Sequence, residues 1–130
     1  MRSEHYPRVI REWCEATGME AWDERDDMHV EINDTLVGLV PGGDDEPDTL
    51  HIYIDLGRYD APELFPSLLA ANVPLEGSDH GCFGLHPLTQ SVVYRTSTHL
   101  GADTDGAALP SALDTLIQSA RDKFASAVAP

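Results

Sequence analysis

The chain has 130 residues, 42% of them hydrophobic and 24% charged, a composition typical of a globular domain rather than a disordered segment. The 23 acidic residues outnumber the 8 lysines and arginines and give a formal net charge of -15, which disfavours nucleic acid and anionic membrane surfaces as partners. No apolar run approaches the roughly 20 residues that cross a bilayer, and the charged N-terminus does not resemble a signal peptide. We therefore expect a single domain over residues 1–130 that is located in the cytoplasm and has a protein as its partner.

The first half of the chain predicts one helix and a strand hairpin. A helix begins near Pro7, because proline suits a first helical turn, and it ends at Gly18, which favours a left-handed cap. Two short strands over 30–32 and 36–40 follow. The Asn33–Asp34 pair between them tolerates the positive φ angles of a tight turn.

The second half predicts three further strands and two helices. Alternating apolar residues indicate a strand over 50–56, and a helix follows over 61–73. A second hairpin covers 81–85 and 91–97, and an amphipathic helix begins at Leu109. The element order is therefore α-β-β-β-α-β-β-α, which predicts an α+β fold with a five-stranded antiparallel twisted sheet and three helices.

No motif in the sequence indicates catalysis or a metal site. There is no phosphate-binding glycine loop with a lysine and no nucleophile elbow. His80, Cys82 and His86 share strand parity, but no short-spaced pair of ligands supports a zinc site. We therefore expect no catalytic residues, no cofactor and no metal.

Three segments carry a combined pattern: Leu-Leu-Ala-Ala-Asn at 68–72, Gly-Cys-Phe-Gly-Leu-His-Pro at 81–87 and Val-Val-Tyr-Arg at 92–95. The pattern resembles the central signature of the class I type III secretion chaperones, the Tir chaperone family. In that family a helix ending in Leu-Leu-x-x-Asn leads to a strand rich in small residues and a Gly-Leu-acid-Pro turn. His86 stands where an aspartate is usual. The resemblance spans residues 6 to 128.

The resemblance implies a homodimer of α+β subunits that has no ATPase or enzymatic activity. It further implies that the dimer binds the N-terminal segment of a secreted effector protein in extended form. That segment would press apolar side chains into surface grooves and add a strand to a sheet edge.

The partner-binding residues are expected on the first helix and the first hairpin. The helix carries two apolar flanks, of which one can face the sheet and the other a partner, and the hairpin forms a natural sheet edge. The predicted set is Val9, Trp13, Val30, Ile32, Leu36 and Leu39. For Trp13, Val30 and Ile32, packing in the core is the alternative.

The dimer contact is expected where the helix over 61–73 and the strand over 81–85 meet their symmetry mates. The predicted set is Leu64, Leu68, Cys82 and Gly84. Cys82 and Gly84 are small and share a strand face, which allows another chain to approach closely. For Leu68, core packing is the alternative.

Two other functions fit the same pattern. A YbjN-like α/β protein-binding module, unrelated to secretion, shares the size and the element order. A small enzyme that uses its histidines requires at least two of His29, His51, His80 and His86 to converge in one pocket.

Overall fold

The computed structural model describes residues 5–18, 27–42, 45–58, 62–72 and 81–128. Within these ranges there are three α-helices: α1 (Tyr6–Thr17), α2 (Phe65–Ala71) and α3 (Leu109–Val128). The five strands are β1 (Met28–Ile32), β2 (Thr35–Pro41), β3 (Thr49–Arg58), β4 (Cys82–Leu85) and β5 (Ser91–His99). Short 3-10 helices, Pro62–Leu64 and Gly106–Ala108, precede α2 and α3.

The strands form one antiparallel sheet in the order β1-β2-β3-β5-β4. The predicted fold class is thereby confirmed in its element order, its five antiparallel strands and its three helices. The second helix, expected over 61–73, is divided into a 3-10 turn and an α-helix that ends at Ala71. None of the described helices is long and apolar enough to span a membrane.

Local sequence signals set several of these boundaries. Gly18 ends α1 in the left-handed conformation with φ 70°, and its N–H donates to the Cys14 carbonyl. Asn33 and Asp34 join β1 to β2 with φ angles of 50° and 62°, the positive values that a tight antiparallel turn needs. The structure therefore confirms the helix end at Gly18 and the turn at Asn33–Asp34 that the sequence predicts.

The hydrophobic core lies between the three helices and one face of the sheet. On β3 the alternation is complete, since Leu50, Ile52 and Ile54 are fully buried. The other side of the core is supplied by buried residues of the helices, Val9, Ile10 and Trp13 from α1 and Leu113, Ile117 and Ala120 from α3. The helices cover only this face, so the opposite face of the sheet, here called the open face, remains accessible in the part of the chain that the structure describes.

Candidate functional site

A trough crosses the open face of the sheet. The strand registers place five residues in one row, one from each strand, in the order His29, Gly38, Tyr53, Arg95 and Cys82. All five line the trough, whose volume is about 610 Å³. Both ends of the row lie on the outer strands of the sheet, β1 and β4, so the trough runs across all five strands.

Apolar and small residues make up most of the remaining surface of the trough. Val40 and Val93 lie on its floor, and Gly84 borders it at the β4 end. The Arg95 guanidinium lies 5.8 Å from the centroid of the Tyr53 ring, within the range of a cation–π contact. The trough therefore combines an apolar floor with one fixed positive charge near its centre.

A second apolar surface lies between α2 and β4 on the other side of the sheet. A cavity of about 180 Å³ is lined there by Phe65, Leu68 and Phe83, among others. Two large side chains at its rim are exposed, Leu69 to 66% and Leu85 to 47%. Large exposed apolar side chains beside an edge strand are typical of a surface that another chain covers.

The structure corrects four of the six predicted partner-binding residues. Val9, Trp13, Val30 and Leu39 are exposed to 8% or less and belong to the hydrophobic core. A buried side chain cannot contact a partner directly, so the alternative of core packing, kept open for Trp13 and Val30, holds for all four.

The two other predicted partner-binding residues lie on the β1–β2 hairpin at the edge of the sheet. Leu36 is exposed to 48%, while Ile32 is partly buried and packs against the core. Leu36 offers a partner an accessible apolar side chain, and both residues stay predictions.

The predicted dimer residues do not share one surface within the subunit. Leu68 is buried on the helix-covered side, whereas Cys82 belongs to the row on the open face. Gly84 has no side chain and borders both the trough and the α2–β4 cavity, and the Leu64 side chain lies outside the described residues. Two exposed leucines of this region, Leu69 and Leu85, were not among the predicted dimer residues, although adjacent leucines at 68 and 69 in a helix cannot both face the sheet.

The histidines lie apart from one another. His29 is on β1 and His86 follows β4, at opposite edges of a five-stranded sheet whose strands are about 4.8 Å apart. The His51 ring on β3 pairs with the Glu46 carboxylate at 2.7 Å. His80 lies outside the described residues. His29 and His86 both line the trough, but they do so from opposite edges of the sheet and do not converge on one point. The described residues hold no group of His, Cys, Asp and Glu that suits a metal.

The His86 side chain stabilises the turn after β4. Its Nδ1 accepts hydrogen bonds from the backbone N–H groups of Leu88 at 3.2 Å and Thr89 at 3.3 Å. A carboxylate oxygen could accept the same two bonds, as an aspartate does in a side-chain-capped turn. The imidazole therefore replaces the aspartate usual in the resembled family while keeping the acceptor.

Three solved structures with a similar fold are complexes between two proteins. A chain of the complex of the Yersinia pestis type III secretion chaperone SycH with a stable fragment of YscM2 superposes with a TM-score of 0.62 at 21% identity, covering 90% of this chain and 98% of that one. A chain of the ExsC–ExsE complex superposes with a TM-score of 0.69 at 21% identity, and the match covers 88% of this chain and 86% of that one. A chain of the HopA1–SchA chaperone–effector complex superposes with a TM-score of 0.65 at 14% identity, and the match covers 90% of this chain and 91% of that one.

The comparison of sequences agrees with the fold. No curated protein is significantly similar to the chain, whereas the model of one family matches residues 18–122, which include the three signature segments. The predicted resemblance is thereby confirmed, and the chain belongs to the Tir chaperone protein (CesT) family.

Proposed function

We propose that this protein is a type III secretion chaperone that binds the N-terminal segment of a secreted effector and keeps it stable and competent for export. It acts as a homodimer in the bacterial cytoplasm, as a single domain over residues 1–130, and needs neither ATP nor catalysis. Membership in a chaperone family supports binding rather than enzymatic activity. The observation that carries the proposal is the apolar trough across the open face of the sheet, and similar folds have been solved in complexes of a chaperone with a second protein.

The effector segment contacts the trough and the β1–β2 edge. Leu36 presents an exposed apolar side chain at this edge, and Ile32 lies beside the turn at the end of β1. Within the described residues β1 pairs with β2 alone, so its outer backbone groups can accept a further strand. Ordering an unfolded segment costs about 2–5 kcal/mol, which an extended interface can offset.

The α2–β4 surface is the proposed dimer contact. It continues from Leu69 through the apolar cavity to Leu85, and a continuous exposed apolar patch of this kind is typical of a protein–protein contact. Most of this contact lies on the side of the sheet opposite to the trough, and the two surfaces meet at β4, where Phe83, Gly84 and Leu85 line both.

Affinity purification with limited proteolysis tests this function. The tagged protein is recovered from the source bacterium under conditions that induce the secretion system, and its partners are identified by mass spectrometry after brief protease treatment. We expect one secreted protein, protected over a stretch near its N-terminus and lost from the culture supernatant when the chaperone gene is deleted. Recovery of the homodimer alone would favour the YbjN-like module instead.

A further inference from the structure

The trough has one permanent positive charge in its middle. Of the described residues that line it, Arg95 alone is an arginine or lysine. It lies directly across from Tyr53 on β3 and from Cys82 on β4. The Arg95 Cζ lies over the Tyr53 ring, 5.8 Å from its centroid, and a cation–π contact of this kind uses none of the N–H donors of the guanidinium, which remain available for an acceptor.

No carboxylate of the described residues forms an ion pair with Arg95, and Asp27, which also lines the trough, lies at its β1 end, three strands away from Arg95. Asp55 lies on the same face, one row away from Arg95, but its Oδ1 accepts from the backbone N–H of Gly57 at 2.8 Å. Elsewhere the excess of acids does pair with arginine, as Arg8 does with Glu12 at 2.8 Å. In a chain with 23 acids and 8 lysines and arginines, an arginine that has no carboxylate partner among the described residues and lies on an apolar floor points to an acceptor that arrives with the partner.

We propose that Arg95 recognises a carboxylate of the bound effector segment, so that the segment carries an aspartate or glutamate at one fixed position among apolar residues. This inference rests on the proposed function. The planar guanidinium can donate two parallel hydrogen bonds to a carboxylate. Val93 lies on the same face of β5, two residues from Arg95, and Val40 lines the trough from β2; such apolar surroundings exclude water once the segment is bound and thereby strengthen the ion pair.

The overall charge of the protein makes this preference distinctive. A net charge of -15 attracts basic segments over the whole surface. The overall negative charge disfavours acidic peptides. A preference for an acid at one position therefore has to come from the local contact with Arg95.

Peptide selection tests the inference. A phage library of random dodecapeptides is selected on the full-length wild-type protein, on Arg95→Gln and on Arg11→Gln. The last variant removes the same charge from the exposed side of α1, outside the trough. We expect the wild type and Arg11→Gln to enrich apolar peptides that share one acidic position, and Arg95→Gln to enrich the apolar pattern without the acid.

The affinity of the best selected peptide measures how much the contact with Arg95 contributes to binding. Replacing its acidic residue by the matching amide lowers the affinity of the wild type about tenfold or more, as expected for a charge-assisted hydrogen bond, and leaves Arg95→Gln unaffected. Replacing the acid by lysine restores binding to Arg95→Glu. Both results support the proposal, and an unchanged melting temperature of the variants shows that the exposed substitution leaves the fold intact.

The result that overturns the role of Arg95 differs from the result that overturns the chaperone function. Enrichment of apolar peptides without a fixed acid by the wild type, or an acid preference that survives in Arg95→Gln, overturns the role of Arg95 and leaves the chaperone function standing. If no protein enriches any peptide, the trough is not a peptide-binding surface, and both proposals fall together.

Discussion

The side-chain amide of Asn72 pairs with the backbone of Phe83 on both sides, donating to its carbonyl oxygen at 3.0 Å and accepting from its N–H at 2.5 Å. Phe83 lies in the middle of β4, which pairs with β5 along its other edge. The amide therefore takes the place of a neighbouring strand at one position and connects the end of α2 to the sheet. This contact explains why the family signature couples an asparagine to the strand that follows it.

Removing this amide destabilises the subunit. Asn72→Ala leaves two backbone groups of β4 without their partner, and we expect the free energy of unfolding to fall by about 1–3 kcal/mol. Urea denaturation followed by circular dichroism measures the difference. Gln118→Ala, on the exposed side of α3, serves as the control and changes the value by less than about 0.5 kcal/mol. An equal, small effect of both substitutions would show that water replaces the amide without loss.

The elements of this fold were predictable because their signals are local. The buried alternation of Leu50, Ile52 and Ile54 and the turn residues Asn33 and Asp34 depend on neighbours within a few positions. Contacts between distant segments were not predictable in this way. The Asp48 carboxylate, for example, accepts from the backbone N–H groups at the start of α1, 42 and 43 positions away.

Contacts between distant segments also explain why Val9 and Trp13 of the first helix were wrongly predicted to bind a partner. The two apolar flanks of this helix suggested one flank for the sheet and one for a partner, but both flanks are buried, and the segment before α3 packs against α1 at Arg8, Val9 and Glu12. Gly106 approaches the carbonyl oxygen of Val9 so closely that a Cβ atom at this glycine would lie 2.0 Å from it. Arg8 donates to the carbonyl oxygens of Thr104 and Gly101, both at 3.0 Å. A single sequence does not reveal that a loop almost 100 residues away closes over the helix.

Trp13 is therefore expected to act on stability rather than on binding. It is exposed to 2%, and Trp13→Ala should lower the free energy of unfolding by about 3–5 kcal/mol because it leaves a large cavity. Trp13→Phe, which keeps an aromatic ring, should cost less than the alanine variant. Thermal and chemical unfolding measure both. A Trp13→Ala variant with unchanged stability and weakened partner binding would restore the groove interpretation.

Glu12 makes the contact between α1 and the segment before α3 dependent on pH. Its Oε1 accepts from the backbone N–H of Gly106 at 3.1 Å, and this bond, followed by the contacts with Arg8, holds the pKa of the carboxyl below its ordinary value of 4.5. A pKa lowered by folding stabilises the native state above the unfolded value, and this stabilisation is lost as pH falls through the folded value.

Glu12→Gln is expected to be less stable than the wild type above about pH 5 and to lose this difference at lower pH, since protonation then removes the charge from both the native and unfolded wild type. Urea denaturation at a series of pH values measures the difference. Glu15→Gln, at an exposed position of the same helix, is the matched control, and its difference from the wild type should show no such pH dependence. A constant difference between wild type and Glu12→Gln down to acidic pH would contradict the role of the Gly106 contact.

The exposed leucines beside β4 predict the oligomeric state. Light scattering at micromolar concentration should give twice the 14.2 kDa subunit mass for the wild type and a monomer for Leu69→Glu, because a buried, unpaired carboxylate at the centre of the contact is costly. Leu88→Glu is the control, since Leu88 is even more exposed, at 87%, but does not line the α2–β4 cavity. It should remain a dimer. If Leu69→Glu also stays dimeric, the subunits meet on another surface, and a monomeric wild type would contradict the chaperone dimer itself.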